Sequence, residues 1–219
     1  MDLSEFFPMW NKLTDTERKT LADSAYCRTF SKGDTLHRGG TECTGLVLVK
    51  SGQLRAYTTS QDGKEITLYR LFERDMCLLS ASCMMKGIQF SVTLTAEKDT
   101  EALVIPAEIY KSVMKESAPL ANFTNEVIAS RLTETMWLIE QIMWKSFDRR
   151  LAAFLAEESA IENGNVLKIT HEIIGNHLGS PREVVTRMLK YFADEGLVRL
   201  SRGTIEILDE EALRTLADK

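Results

Sequence analysis

The 219-residue sequence predicts an α+β protein with an N-terminal double-stranded β-helix (jelly roll), a long dimerisation helix and a C-terminal winged helix-turn-helix. Short apolar runs separated by Gly and Asp turns fill the first half of the chain, as in a jelly roll. A helical stretch with a regular apolar stripe then opens at Pro119. Two capped helices around Gly179 and two short strands follow, which is the order of a winged helix. The predicted domains are therefore 1–118, 119–147 and 148–219.

Composition is that of a folded protein with an ordinary core, because 44% of the residues are hydrophobic and 27% are charged. No apolar run is long enough to span a bilayer, and the N-terminus MDLSEFFPMW lacks a basic region. We therefore expect a cytoplasmic protein that makes no membrane contact. A net charge of −5 argues against non-specific coating of nucleic acid. Residues 170–203 nevertheless carry a mild positive excess.

The first half of the chain predicts one helix followed by a barrel. Thr14 and Glu17 form a capping box for a helix over about 13–25. His37 lies in an early turn and is expected to be a solvated residue rather than a metal ligand. The strand-like segments lie at 46–49, 54–58, 66–71, 91–95 and 101–105.

The helix from Pro119 to about Ser146 carries an apolar stripe at spacings of 4, 3 and 4, formed by Leu132, Met136, Ile139 and Met143. This pattern predicts a two-helix dimer seam, and packing against the protein's own barrel is the alternative. Trp137 and Trp144 are one heptad apart and are interpreted as packing residues. Asp148 is the predicted N-cap of a further helix over 149–161.

The helix-turn-helix begins at Thr170, which is predicted to cap a first helix ending at Leu178. Gly179 stands where a left-handed residue is needed, and Ser180 is predicted to cap the second helix, with Pro181 at its first position. The second helix has an apolar side and a polar outer side, the latter formed by Arg182, Glu183, Thr186, Arg187 and Lys190. Residues 196–208 predict two strands around a turn at 201–203.

The polar outer face has the chemistry for reading base edges in a major groove. Arginine can bind guanine O6 and N7 bidentately, and glutamate can accept from cytosine N4. The alternative is an ordinary amphipathic helix with a solvated charged face. The strand pair that follows favours the winged-helix interpretation, because that order is more specific than either piece.

The chain resembles the CRP/FNR family of bacterial transcription regulators over nearly its whole length. Phe30-Ser-Lys-Gly-Asp34, Lys50-Ser-Gly-Gln53 and Asp62-Gly-Lys-Glu65 match turns of the family's cyclic-nucleotide-binding-like barrel. Residues 179–187 match the pattern G-x-[ST]-R-E-T-V-x-R, except that Pro181 replaces the [ST] residue.

The resemblance implies a homodimer that binds double-stranded DNA at an inverted repeat, with half-sites roughly 34 Å apart. It also implies RNA polymerase as a partner and a TGTGA-like half-site. Arg182 and Arg187 would contact guanines, Glu183 a cytosine, and Thr170 and His171 phosphates. The predicted DNA-binding residues are Ser180, Arg182, Glu183, Thr186, Arg187, Thr170, His171, Lys190 and Arg202.

The effector is not evident from the resemblance. Cyclic-nucleotide members carry Gly-Glu and Arg-Ser pairs where this chain has Leu79-Ser80 and Phe90-Ser91, so no arginine would neutralise a buried phosphate. These residues and Thr135 form the predicted effector pocket. The sequence argues against cyclic AMP as the cofactor, although a cyclic-nucleotide-responsive regulator with an atypical pocket stays an alternative.

Iron–sulfur and heme chemistry are also disfavoured, because the N-terminal cysteine cluster of one branch is absent and Ser80 stands at the histidine-ligand position of the heme branch. The cofactor is therefore unknown. Cys77 and Cys83 are the candidates for redox sensing, and the simpler alternative is that they are small buried apolar residues. A small apolar or aromatic effector is a further alternative.

Two other classes of function compete with a DNA-binding regulator. A metal-dependent jelly-roll enzyme would need several histidines in the barrel, which holds only His37. No phosphate loop or nucleophile elbow appears either, so no enzymatic activity is expected. A non-catalytic ligand-binding or interaction module is the remaining alternative, which the Arg182, Glu183 and Arg187 trio disfavours.

Overall fold

A computed structural model describes residues 2–38, 44–78 and 92–218 of the chain. It divides into two compact units. The first contains Met1–Thr59 and Leu68–Thr135, and the second contains Ser60–Thr67 and Met136–Lys219. The mixed α+β architecture confirms the predicted fold class.

The first unit begins with helix α1, Asp15–Ser24, whose N-cap Thr14 and residue Glu17 form the predicted capping box. The strands that follow are β1 Tyr26–Phe30, β2 Thr35–His37, β3 Leu46–Ser51, β4 Leu54–Thr59, β5 Glu65–Leu71, β6 Met76–Cys77, β7 Thr93–Ala96 and β8 Thr100–Ile105. They form two four-stranded sheets, in the orders β1-β8-β3-β6 and β2-β7-β4-β5. The ladders of β8 with β1 and β3, and of β7 with β2 and β4, are antiparallel, as a jelly roll requires.

Two apolar clusters hold the first unit together. One joins residues from both sheets, among them Val47, Leu54, Leu71 and Val104. The other packs the N-terminal segment and the helices after β8 against the barrel, with Phe7 and Tyr110 fully buried in it. These helices are α2, Ala107–Glu116, and the first part of α3, Ala118–Trp144. Burial of these side chains is the main source of this unit's stability.

The phenol of Tyr110 is satisfied inside this cluster. Its oxygen lies 2.8 Å from Oγ1 of Thr124, and that hydroxyl donates to the Leu120 carbonyl at 2.8 Å. Because the single Thr124 proton is used there, Tyr110 is the donor in the phenol–hydroxyl bond. Burial raises the pKa of Tyr110 to about 12, so the folded protein retains the neutral phenol where an unfolded chain would ionise it.

We therefore expect the Tyr110 phenol to make the protein sensitive to alkali. The stabilisation it provides is complete below pH 10, the unfolded pKa, and falls as the pH rises towards about 12. By pH 11 the loss should be about 1.4 kcal/mol. Urea unfolding of the parent and Tyr110→Phe at pH 8 and pH 11 measures it, because other titrating groups cancel in the difference. A constant difference between the two proteins would contradict the expectation.

The second unit is built on helices and a small sheet. Its elements are α4 Phe147–Glu162, β9 Val166–Leu167, α5 His171–Leu178, α6 Arg182–Asp194, β10 Val198–Ser201, β11 Thr204–Ile207 and α7 Glu210–Asp218. The sheet has the order β10-β11-β9 and is antiparallel. Leu155, Val185, Leu189, Phe192 and Leu213 are fully buried in its core.

Several local expectations are corrected by the structure. Helix α4 begins at Phe147 with Ser146 as its N-cap, so Asp148 lies in the first turn and is not the cap. His37 is buried in β2, with Nδ1 3.3 Å from Oγ1 of Thr44, because β2 pairs with β7, and it is not a solvated turn residue. Helix α2 and strands β1, β2, β6 and β9 were not predicted, and the short strands carry too few residues for a period to be read.

Candidate nucleic-acid interface

Helices α5 and α6 meet at a turn built on two glycines. Gly179 adopts a left-handed conformation with φ +65°, and the N–H groups of Gly179 and Ser180 both donate to the Gly175 carbonyl, which closes the end of α5. A Cβ on Gly175 would lie 2.5 Å from the Ser180 carbonyl oxygen. The absence of a side chain at Gly175 therefore permits the close approach of the chain at this turn.

The predicted cap of the second helix is wrong by one residue. Helix α6 begins at Arg182 with Pro181 at the N-cap position, and no side chain caps it. Ser180 instead completes the end of α5 through its backbone N–H. Pro181 has extended backbone angles, φ −58° and ψ 144°, so the helical conformation starts only after it. Glu183 consequently lies in the first turn, where its charge suits the helix dipole.

Helix α6 separates its apolar and ionic side chains onto opposite faces. Val185, Leu189 and Phe192 are fully buried in the core of the second unit. The side chains of Arg182, Glu183, Arg187 and Lys190 are exposed, and Thr186 is half-buried. Among the hydrogen bonds and ion pairs of the described residues, none uses the Arg182 or Arg187 guanidinium. Both guanidinium groups are therefore available to an external partner.

His171 and Thr186 connect the two helices beside Arg182. Nδ1 of His171 lies 2.9 Å from Oγ1 of Thr186, and that hydroxyl donates to the Arg182 carbonyl at 2.9 Å. Partial burial, and then the nearby Arg182 charge, lower the pKa of His171 below its usual 6.5. The free protein therefore favours the neutral imidazole near neutral pH.

Two further predicted DNA contacts, Thr170 and Arg202, lie outside α6. Arg202 belongs to the wing, which is the strand pair β10 and β11 with the turn between them. Thr170 is the N-cap of α5, and its hydroxyl oxygen accepts from the Ile173 N–H at 3.2 Å. Arg202 is exposed in the turn between β10 and β11. Arg199, on β10, is ion-paired with Glu206 at 2.8 Å and is thus partly neutralised. The wing therefore carries an exposed cation at its tip, Arg202.

The tip of the β4–β5 hairpin, Ser60–Thr67, belongs to the second unit and packs against the turn between α5 and α6. Oγ1 of Thr67 lies 2.8 Å from Nδ1 of His177, and Ile66 forms a bridge with Leu178. A cleft of about 270 Å³ lies beside this contact and is lined by hairpin residues and by residues 172, 175–176 and 180–182. Sequence periodicity carried no signal for this contact, because its partners are 110 residues apart.

Comparison with known proteins identifies the family. Residues 27–117 match the cyclic nucleotide-binding domain family, and residues 149–216 match the Crp-like helix-turn-helix domain family. A crystal structure of a CRP/FNR-family transcriptional regulator from Eubacterium rectale ATCC 33656 is 61% identical, with a TM-score of 0.96 over 98% of this chain and 99% of that one. The chain belongs to the CRP/FNR family.

Curated members of the CRP/FNR family are more distant in sequence. The cyclic AMP receptor protein of Thermus thermophilus is 26% identical over 210 residues, which cover 96% of each chain. The fumarate and nitrate reduction regulatory protein of Escherichia coli K12 is 26% identical over 196 residues, which cover 86% of this chain and 77% of that one. This CRP/FNR protein is therefore a transcription regulator with a helix-turn-helix DNA-binding domain.

The apolar stripe on α3 is exposed within the chain. The exposed fractions are 61% for Leu132, 49% for Met136, 40% for Ile139 and 64% for Met143. Trp144, beside the stripe, is 78% exposed. So large an apolar surface on one helix is typical of a protein–protein contact.

The predicted effector residues Leu79, Ser80, Phe90 and Ser91 lie outside the described residues, as does Cys83. Thr135 is half-buried on α3, and its hydroxyl donates to the Arg131 carbonyl at 2.8 Å. A threonine inside a helix commonly donates its hydroxyl to the backbone carbonyl four residues earlier, as Thr135 does here.

Arg131, on α3 one turn before Thr135, was not among the predicted effector-pocket residues. Its guanidinium contacts both carboxylate oxygens of Glu134, at 2.9 and 2.7 Å, and lies 4.7 Å from the ring centroid of Tyr69. The Tyr69 hydroxyl is 3.9 Å from Sγ of Cys77, which is buried. The sequence did carry a signal for the Arg131–Glu134 contact, because an arginine and a glutamate three residues apart on a helix lie on one face.

Neither a metal-binding cluster nor a membrane-spanning helix is found among the residues that the structure describes. No group of three or more His, Cys, Asp or Glu side chains among residues 2–38, 44–78 and 92–218 could hold a metal ion. In the same part of the chain, no helix combines the length and apolarity needed to cross a bilayer.

Proposed function

We propose that this CRP/FNR-family regulator binds double-stranded DNA sequence-specifically as a homodimer, at an inverted repeat with TGTGA-like half-sites. The observation that carries the proposal is the arrangement of Arg182, Glu183 and Arg187 along the exposed side of α6, with the opposite side fully buried. A helix anchored in this way presents fixed side chains to a major groove. The protein would act in the cytoplasm, where its DNA and RNA polymerase partners lie.

Each exposed residue has a proposed role that follows from its chemistry. Arg182 and Arg187 would each bind the O6 and N7 atoms of a guanine, and Glu183 would accept from a cytosine amino group. Lys190 and Arg202 would contact phosphates and make affinity fall with salt. Thr170, His171 and Ser180 lie around the same edge and would complete the contact with the backbone. Thr186, whose hydroxyl proton goes to the Arg182 carbonyl, would hold His171 in place at that edge. The polar contacts would position the helix, and the trio would read the bases.

A homodimer is supported by the exposed stripe of α3. When two helices pair, apolar residues at heptad spacing bury one another. The dimer would then have a twofold axis, and its two α6 helices would face the two half-sites of the operator.

The signal received by the barrel is proposed to be an unidentified small molecule or a redox change. Of the two predicted redox cysteines, Cys77 is buried against Tyr69, where oxidation would disturb packing.

The test of this proposal is the Arg187→Ala variant on operator and random DNA. We expect it to weaken binding to a palindromic TGTGA-type duplex by about 1–3 kcal/mol and to relax the preference at one base pair per half-site. Affinity for random DNA should change much less, because only one of several phosphate-facing charges is lost. Fluorescence anisotropy with duplexes substituted at each position measures both effects.

Two control variants define the interpretation. Arg187→Lys keeps the charge but cannot bind guanine bidentately, so it should lose base preference while retaining random-DNA affinity. Arg214→Ala removes an arginine on α7 that is ion-paired with Glu210, and it should leave operator binding unchanged. Equal losses by Arg187→Ala on operator and random DNA would show that Arg187 does not read a base. Failure of the parent protein to prefer any sequence, in an unbiased selection of bound DNA, would overturn the proposed function.

A further inference from the structure

The hydrogen-bond chain from His171 to the Arg182 carbonyl determines which imidazole nitrogen carries the proton. The Thr186 hydroxyl has one proton, and it donates that proton to the carbonyl of Arg182 at 2.9 Å. The hydroxyl can therefore only accept from Nδ1 of His171, which lies 2.9 Å away. A neutral His171 ring held in this way carries its proton on Nδ1, and Nε2 is left with a lone pair.

We propose that His171 is a proton-linked DNA-backbone contact, which binds a phosphate only when its ring is protonated at both nitrogens. This inference rests on the proposed function, because it places the residue at the DNA edge beside Arg182. A phosphate oxygen accepts hydrogen bonds and cannot pair with the bare Nε2 of the neutral ring. Taking up one proton converts Nε2 into a charged donor and leaves the bond from Nδ1 to Thr186 unchanged.

Partial burial and the Arg182 charge favour the neutral His171 ring in the free protein, and a DNA phosphate would favour the charged ring. Partial burial disfavours protonation, and the Arg182 guanidinium on α6 acts in the same direction. The other charged groups near His171 are Glu172, the next residue on α5, and Lys64 and Glu65 of the hairpin tip. All three line the neighbouring cleft together with Arg182. The free imidazole accordingly has a pKa below its usual 6.5. A DNA phosphate would add a negative charge and raise the pKa.

The direction in which DNA affinity changes with pH follows from the difference between the His171 pKa in the free protein and in the DNA complex. Because the DNA-bound form has the higher pKa, binding takes up protons, and affinity rises as the pH falls through the bound pKa towards the free one. Each unit by which DNA raises the pKa is worth about tenfold in affinity per protomer. We expect the affinity of the full-length protein for the TGTGA-type duplex to be at least threefold higher at pH 6 than at pH 8. The same trend should appear on random duplex, because phosphates carry no sequence.

Two variants separate the proton linkage from a simple structural role. His171→Gln offers an amide donor that does not titrate, so its affinity should be independent of pH between 6 and 8. Thr186→Val removes the hydroxyl that holds the tautomer and lets the neutral ring carry its proton on Nε2. A neutral ring can then donate to a phosphate, so the ratio of this variant's affinities at pH 6 and pH 8 should be smaller than the parent's, whatever the loss of the Thr186 hydroxyl does to its absolute affinity. A merely structural His171–Thr186 bond would instead lower affinity equally at every pH.

A direct readout comes from NMR titration of the His171 Cε1–H resonance in the free protein and in the DNA complex. The inference requires a pKa below 6.5 in the free protein and a higher pKa on DNA. A DNA complex in which the pKa is unchanged, or a parent affinity that is the same at pH 6 and pH 8, would overturn it while leaving the proposed function standing. If the parent binds no duplex at either pH, it is the proposed function that fails.

Discussion

Replacing Gly175 with alanine is expected to destabilise the DNA-binding unit by about 2–3 kcal/mol, because the new methyl group has no room. Its Cβ would lie 2.5 Å from the Ser180 carbonyl oxygen, which is backbone and cannot rotate away. Relief requires α5 and the start of α6 to move apart, and that displaces Arg182 from its position. In scanning calorimetry of the full-length protein, the transition of this unit should fall by roughly 10 °C. Operator affinity should fall with it.

Gly164 provides the matched control in the same unit. A Cβ at Gly164 would meet only the Glu162 carbonyl oxygen, at 3.9 Å, which is ordinary contact. Gly164→Ala should therefore leave the transition unchanged or raise it slightly, because alanine reduces the freedom of the unfolded chain. If the two variants behave alike, the tight approach of the chain at the helix-turn-helix is not present in solution.

A glutamate in place of Met136 is expected to convert the protein from a dimer to a monomer. Met136 is 49% exposed in the centre of the α3 stripe, where a twofold contact would bring two copies of the new carboxylate together. Burying like charges in an interface costs several kcal/mol, so dimer affinity should fall by about a hundredfold or more. Analytical ultracentrifugation measures the assembly state, and affinity for the inverted repeat should fall in parallel because two linked half-site contacts become one.

The control adds the same charge to another face of the helix. Gln141→Glu places a carboxylate at a position two residues past Ile139 and off the stripe. This variant should keep the parental dimer and operator affinity. Should Met136→Glu remain dimeric at micromolar concentration, the stripe on α3 is not the dimer seam, and the homodimer must be sought on another surface.

The parts of the fold that sequence analysis predicted well are those with local signals. The Thr14 capping box, the Thr170 cap and the left-handed Gly179 each act within a few residues, and each is present in the structure. The wing strands were recognised from the Gly203 turn and are paired as expected. Helix α2 was missed because its N-cap is Pro106 and no side chain caps it, so its start carries no polar signal.

The candidate site shows the same division between local and distant information. The outer face of α6 could be read from the helical period, because buried Val185 and Leu189 alternate with exposed Arg182 and Arg187. The burial of His37 could not be read, because it depends on pairing between β2 and a strand that begins at Thr93. The predicted effector residues around Ser80 stay predictions, as do the domain boundaries.

By itself the sequence determined that the chain ends in a winged helix with two arginines and a glutamate on one helical face, because caps, turns and periodicity act over a few residues. Only the tertiary structure decided what surrounds that face. It placed His171 against Thr186, 15 residues away, and Thr67 against His177, 110 residues away. A hydrogen bond between such positions depends on how whole elements pack, and packing joins residues that no local pattern connects.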